Sequence, residues 1–287
     1  MPDTGAGLPK ADFSKHNLVV VMATYYTSLE DTRYQAALAT LVAYRSLSRR
    51  HTKFGVAVIV VDASPDSVNQ PIRDSFSKLG ALVLVADKGG LAPQNLQGLR
   101  FAFAHGAKVA LRQEPEKTGL AQVDNLFKIV SAVNEGNHLV VVGRDRLTFE
   151  SMPYEQQISE TIMGELLACA GLPPDSAAGP RAMDVVGFNL VESLDYDQIG
   201  NQWEFLWWPL VISLSDGDSV GYVECNFPYS TDMVEQEQDN PDFIAKRLDQ
   251  AVMILAKVLR EAALHGLLPV YNANLTANRH LPKRAAA

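Results

Sequence analysis

The sequence is poor in cysteine, with two residues, Cys169 and Cys225, among 287. Their spacing fits neither a zinc site nor a disulfide framework, so both are expected to be small buried hydrophobes in a reducing compartment, by default the cytoplasm. His16, His51, His105, His138, His265 and His280 show no zinc-ligand spacing either. No Gly-x-Ser-x-Gly elbow, Walker lysine loop or Gly-x-Gly-x-x-Gly occurs, which withdraws support from hydrolase, phosphate-loop NTPase and dehydrogenase readings. No stretch approaches the roughly 20 apolar residues that span a bilayer. The opening MPDTGAGLPKADFSK lacks the apolar core of a signal peptide, so the chain is expected to be soluble or at most peripheral to a membrane. Basic charge is also short. A net charge of -8 speaks against a general nucleic-acid binder, while leaving room for a local basic pocket for one diphosphate.

What the chain has is apolar sequence, 47% of its residues, enough for one large α/β domain with a sizeable core. Val-rich runs at 17–23, 54–61, 81–86, 107–111 and 138–142 carry no polar alternation, as expected of strands buried on both faces of a parallel sheet. Between them, 32–50 places Leu38, Leu41, Val42 and Leu47 near one face of a helix, and 93–105 carries Leu96, Leu99 and Phe103. The alternation predicts a mostly parallel central sheet flanked by helices, with ligands beyond the strand carboxyl ends. After Gly143 the spacing predicts helices over 154–170 and 241–265 and a strand in SVGYVEC, with a Gly/Pro-rich loop, GLPPDSAAGPR, and a Trp-rich segment, NQWEFLWWPLVISL, between them. In the last helix Ile244, Leu248, Val252, Leu255 and Leu259 are expected to dock on the sheet. The expected organisation is an N-terminal extension (1–16), a single domain (17–270) and a loose tail (271–287). The domain divides into a nucleotide-binding half (17–142) and an acceptor half (143–270).

Polar residues gather where the apolar runs stop. Glu114-Pro115-Glu116 sets two carboxylates one residue apart at a strand end, a pattern able to hold a divalent cation against a diphosphate; the alternative is a pair of solvated residues. Thr24 and Tyr25 end the first run. Asp62 ends the second, placed to hydrogen-bond a base or ribose or, with Ser64, to cap the following helix. Lys88 and Gly89, with Gly90, form a turn before a helix whose N-terminus offers free N–H groups to an anion. Asp175, Gly179 and Arg181 sit in the Gly/Pro-rich loop, where the arginine can meet a departing diphosphate or merely pair with Asp184. Trp203, Glu204, Trp207 and Trp208 form the most aromatic patch. A carboxylate among aromatic rings is a candidate general base, which makes Glu204 the first choice and Asp197 the second. The alternative is that the tryptophans are core and Glu204 faces water.

Taken in order, VVVMATYY, VVDASPD, KGGLAPQNLQGLRFAFAHGAKVALRQEPEK, the Arg144-Asp145-Arg146 loop and PDSAAGPRAM resemble a family-2 glycosyltransferase with the GT-A fold. The resemblance implies a nucleotide-diphospho-sugar transferase fold with the nucleotide held at the first strand end and Asp62. It places Lys88 and Gly89 near the diphosphate and Mn or Mg at Glu114 and Glu116, where the family has Asp-x-Asp. It carries sugar and phosphate contacts onto Asp175, Gly179 and Arg181. The chain departs from the family at both motif aspartates, which are glutamates, and at Val61-Asp62-Ala63-Ser64-Pro65, where the family's second Asp and its Gly are missing. The activity expected is transfer of a sugar from a nucleotide diphosphate sugar to a small hydroxylated acceptor, metal-assisted and inverting. Trp203 and Trp207 suggest an apolar acceptor, as in specialised metabolism. A GT-A-fold protein recruited to binding or to other chemistry stays open.

Overall fold

The computed structural model describes residues 11–200 and 202–267; the tail expected over 271–287 lies outside them. The Val-rich runs form strands because branched side chains pack well on a pleated surface buried on both sides. They are β1 (Leu18–Thr24), β2 (Val56–Asp62), β3 (Leu82–Val85), β4 (Ala110–Arg112) and β5 (Leu139–Arg144), followed by β6 (Arg181–Met183) and β7 (Val220–Cys225). Among the described residues they make one seven-stranded sheet in the order β3-β2-β1-β4-β6-β5-β7. All run parallel except β6, which is antiparallel to both of its neighbours.

Helices α1 (Thr32–Arg50), α2 (Asn69–Lys78), α3 (Leu91–Ala104) and α4 (Val123–Asn134) belong to the first half. The second half adds α5 (Arg146–Glu150), α6 (Tyr154–Cys169), α7 (Val185–Ser193), α8 (Tyr196–Ile199), α9 (Glu204–Ser215), α10 (Thr231–Glu237) and α11 (Pro241–Leu264). Strand side chains alternate between two cores. Val19, Val21, Ile59 and Val61 pack with Leu99 of α3, Phe188 of α7 and Trp207 of α9. Val20, Met22, Val58 and Val60 pack with Tyr44 of α1, Phe76 of α2 and Ile129 of α4. Full burial of each such aliphatic side chain contributes about 1.5–3 kcal/mol. Gly98 lets α3 lie close on the sheet, since a Cβ there would stand 2.5 Å from Val21 Cγ1.

Several expectations are corrected. The Gly/Pro-rich segment ends in an unexpected strand, β6, which takes its last residue, Arg181: three residues show no periodicity of their own, but β4 and β5 offer them an open edge on each side. The last helix does not dock on the sheet. It rides on α6 and α9, because α3, α7 and α9 already cover that face. Leu248 and Val252 of α11 are consequently exposed, while Val258 and Ala262 are buried. Cys225 is buried as expected, whereas Cys169 is exposed at the end of α6. Within the expected extension, Phe13 is buried in the core and its N–H donates to His105 O at 2.8 Å. Among the described residues no helix is long and apolar enough to cross a membrane.

Candidate functional site

The carboxyl ends of β1, β2 and β3 carry the first group of expected residues. Thr24 and Asp62 are register partners, and both are buried. Asp62 has no accessible surface, and both of its oxygens are engaged. Oδ1 accepts from Thr24 Oγ1 (3.0 Å), Ser64 Oγ (2.6 Å) and Ser64 N (3.3 Å), and Oδ2 accepts from Arg73 Nε (2.8 Å). Ser64 Oγ accepts from Tyr26 N at 3.0 Å, and Gln94 Nε2 on α3 donates to the carbonyls of Thr24 and Val61, both at 2.9 Å. The strand ends are thus tied together by groups that satisfy one another. Asp62 does not cap α2, whose N-cap is Val68 and which has no side-chain cap. Tyr25, Lys88 and Gly89 stand outside this network and are exposed.

β4 ends differently. Arg112 is buried and donates from Nη1 to Glu114 Oε1 (2.6 Å) and Gly179 O (3.0 Å), and from Nε to Asn95 Oδ1 (3.3 Å). Glycine is required at 179 because a Cβ would stand 1.7 Å from Glu114 Oε1. Burial pushes the Glu114 carboxyl up, but Arg112 and Lys117 outweigh it and hold the group below its ordinary value. Its other oxygen, Oε2, is buried without a partner. Glu114, Glu116 and Gly179 form one wall of a cavity, together with Arg33, Lys117 and Trp203.

The opposite wall comes from β5, α6 and α11. Arg144 ends β5, and its backbone N and its Nε donate to Asp175 Oδ2 at 2.7 and 2.9 Å. Its Nη2 pairs with Asp175 Oδ1 and Glu160 Oε2. Burial disfavours the Arg144 charge, yet these two carboxylates outweigh burial and raise its pKa. Glu160 is likewise held below its ordinary value, against burial, by Arg144 and Arg247. Gln156 Nε2 donates to Glu160 at 2.5 Å, leaving Gln156 Oε1 buried without a partner. Arg247 Nη1 stands 3.6 Å from Glu160 Oε1, and Arg247 Nε is also buried and unpartnered. Its neighbour Lys246 is held below its ordinary value by partial burial and by Arg33 and Arg247. Lys117 Nζ lies 4.5 Å over the Tyr229 ring, and Arg33 pairs with Glu237 at 2.8 Å.

Other expected residues are placed away from this cavity. Arg181 is buried, and its guanidinium donates to the carbonyls of Ser176 (2.7 Å), Pro180 (2.9 Å), Leu206 (3.3 Å) and Ala178. It does not pair with Asp184, which caps α7 and bonds His138 Nδ1 at 2.8 Å. Burial and Arg112, its cross-strand partner, push the Arg181 guanidinium down to about 9, so it remains charged at neutral pH. Trp207 is buried core, its Nε1 donating to Ser176 O at 2.8 Å. Glu204 is buried rather than wet and pairs with Lys257 Nζ, while Asp197 is exposed on α8; neither lines the cavity. Asp175 serves as the carboxylate that orients Arg144. Sequence reasoning missed Arg33, Lys117, Gln156, Glu160, Lys246 and Arg247, because polar residues on helices and turns look like solvated faces. Lys117, directly after Glu-Pro-Glu, carried the one usable signal.

A divalent cation fits poorly at Glu114 and Glu116. Among the described residues no group of three or more His, Cys, Asp or Glu side chains converges to hold a metal. Glu114 is already neutralised by Arg112, and Lys117, Lys246 and Arg247 share the cavity with Glu116. Hard cations seek several oxygen ligands and are repelled by like charge.

No protein-family model and no curated protein matches the chain. Solved structures share its fold. Mannosyl-3-phosphoglycerate synthase from Rubrobacter xylanophilus aligns over 88% of this chain and 75% of its own, with a TM-score of 0.52 at 11% identity. A mycobacterial protein aligns over 84% of this chain and 74% of its own, with a TM-score of 0.51 at 14% identity. The chain has the α/β fold of GT-A-like nucleotide-diphospho-sugar transferases, with its mostly parallel sheet flanked by helices.

Proposed function

We propose that the chain transfers a sugar from a nucleotide diphosphate sugar to a hydroxylated acceptor. One observation carries the reading: on this fold, the cavity beyond β4 and β5 combines a cationic cluster with a carboxylate, Glu116, that makes no ion pair among the described residues. The exposed ring of Tyr25 and the Lys88-Gly89 turn are suited to the nucleotide, Tyr25 as a stacking surface and Lys88 as a charge. Lys117, Lys246 and Arg247 oppose the charge of the diphosphate. The acceptor oxygen attacks the anomeric carbon as Glu116 takes its proton. The bond from that carbon to the phosphate oxygen breaks with its electron pair left on the diphosphate, and in-line displacement inverts the centre. Glu116 suits the base role better than Glu204 or Asp197, since it lines the cavity and they do not. The walls favour a polar acceptor, because Trp207 and Trp208 are core and Trp203 is the tryptophan that reaches the cavity.

The test is release of nucleotide diphosphate, followed by mass spectrometry, across a panel of nucleotide sugars with hydroxylated acceptors. Glu116→Gln is expected to bind nucleotide and lose most turnover, while Glu204→Gln keeps it. The opposite ranking moves the base to Glu204. A second reading, a phosphate-binding protein without sugar transfer, is favoured by Asp62, whose burial and four hydrogen bonds leave nothing for a base or ribose. Pyrophosphate binding with no turnover on any donor supports it.

A further inference from the structure

The charges around the cavity do not cancel. Arg33 is matched by Glu237, Glu114 by Arg112, and Arg144 and Arg247 together by Glu160 and Asp175. What is left is Lys117 and Lys246 against Glu116, a surplus of one positive charge, with Arg247 Nη1 at 3.6 Å from Glu160 Oε1 and its Nε free to meet a ligand. Among the described residues, neither Lys117 nor Lys246 makes an ion pair; Lys117 rests on the face of Tyr229. Unpartnered polar atoms accompany this surplus. Gln156 is 2% exposed and lines the cavity with Oε1 unsatisfied, and Arg247 Nε and Glu114 Oε2 are buried without partners. Buried groups of this kind are rare unless a ligand or ordered water completes them, each costing about 1–3 kcal/mol when left alone.

We propose that the cavity binds the phosphate groups of its ligand with Lys117, Lys246 and Arg247 as the counter-charge, independently of any divalent cation. The surplus positive charge matches a diphosphate and repels a dication, so the side chains occupy electrostatically the place a metal holds when two free carboxylates face it. Arg112 is part of the same arrangement. By neutralising Glu114 from behind, it stops that carboxylate from repelling the anion and from offering a cation a full negative charge. The Lys246 pKa is depressed first by burial and then by the guanidinia of Arg33 and Arg247, a crowding of like charge that an incoming anion relieves. The inference rests on the reading of a phosphate-bearing substrate but does not need that substrate to be a nucleotide.

The experiment is calorimetric titration of the full chain with UDP, GDP and inorganic pyrophosphate, each in EDTA and in MnCl2. Binding in EDTA that Mn leaves within a factor of about two is the expected result, since no contact in the proposal involves metal. Lys246→Gln and Arg247→Gln are each expected to weaken binding about tenfold, the scale of one charge-assisted contact. Glu114→Gln removes a negative charge facing the anion and is expected not to weaken binding. Lys246 is exposed and makes no ion pair, so its variant keeps the fold and the test open even where Arg247→Gln unfolds. Binding of any of the three ligands that appears only with Mn overturns the proposal while leaving sugar transfer standing. Pyrophosphate that binds in EDTA while both nucleotides fail upholds the proposal and removes the nucleotide-sugar reading. No binding under either condition, or full affinity in Lys246→Gln, overturns it.

Discussion

The two rims of the sheet use polar residues in opposite ways. At the ends of β1 and β2, Asp62, Thr24, Ser64, Arg73 and Gln94 satisfy one another, and Asp62 has no surface left for a visitor. At the ends of β4 and β5, equally polar residues leave Glu114 Oε2, Gln156 Oε1 and Arg247 Nε without partners around a cavity. A carboxylate at the end of a buried strand is therefore no guide to ligand binding by itself. The guide is whether its neighbours complete it, because a buried group left unsatisfied beside a cavity carries a cost that a ligand or ordered water can relieve.

The comparison breaks most visibly at Arg144. Arg144→Met leaves Glu160 and Asp175 buried without their cation, and urea unfolding is expected to show a loss of about 3–5 kcal/mol. A loss near zero would mean that the cavity wall does not depend on this network. Next in size is Asp62→Asn, expected to lower stability by about 1–3 kcal/mol while leaving affinity for pyrophosphate unchanged. A variant that folds as well as the parent but binds nucleotide more weakly would return Asp62 to the ligand and erase the contrast between the rims. The smallest effect is graded and concerns pH. Glu114 and Glu160 both have folded pKa values below the ordinary value of 4.5, so the unfolded chain takes up protons first as the solution is acidified. The stability they contribute is present above pH 4.5 and falls as pH drops through their lowered values. Glu160→Gln is expected to flatten that acid limb in thermal melts collected from pH 6 to pH 3, about 1.4 kcal/mol for each pKa unit removed.

The sheet was legible because its strands are buried on both faces, which writes continuous Val-rich runs, and α1 was legible because nineteen residues give periodicity room to show. β6 was not, since three residues derive their strand character from the edges beside them. The same limit applies to the site. Glu114 and Glu116 announced themselves by adjacency at a strand end, and Gly179 by its place in a glycine-rich loop. Lys246 and Arg247 lie more than a hundred residues further along the chain from that pair, on a helix whose sequence shows only a solvated stripe. Glu204 misled because the tryptophans around it read as a pocket; they fill the interior, and their Glu finds Lys257 on α11 instead.

Helix α11 packs chiefly on α6 and α9, yet it supplies Lys246, Arg247 and Gln250 to the cavity. Scaffold and selectivity are therefore written in separate stretches of the chain. Drift in the first turns of this helix can retune the charge presented to a ligand without disturbing the strand order, which makes 241–250 the natural segment to randomise or graft in a search for new specificities. A library confined to Lys246, Arg247 and the exposed positions of that segment, with buried Phe243 kept, would explore ligand choice while the hydrophobic layers stay constant.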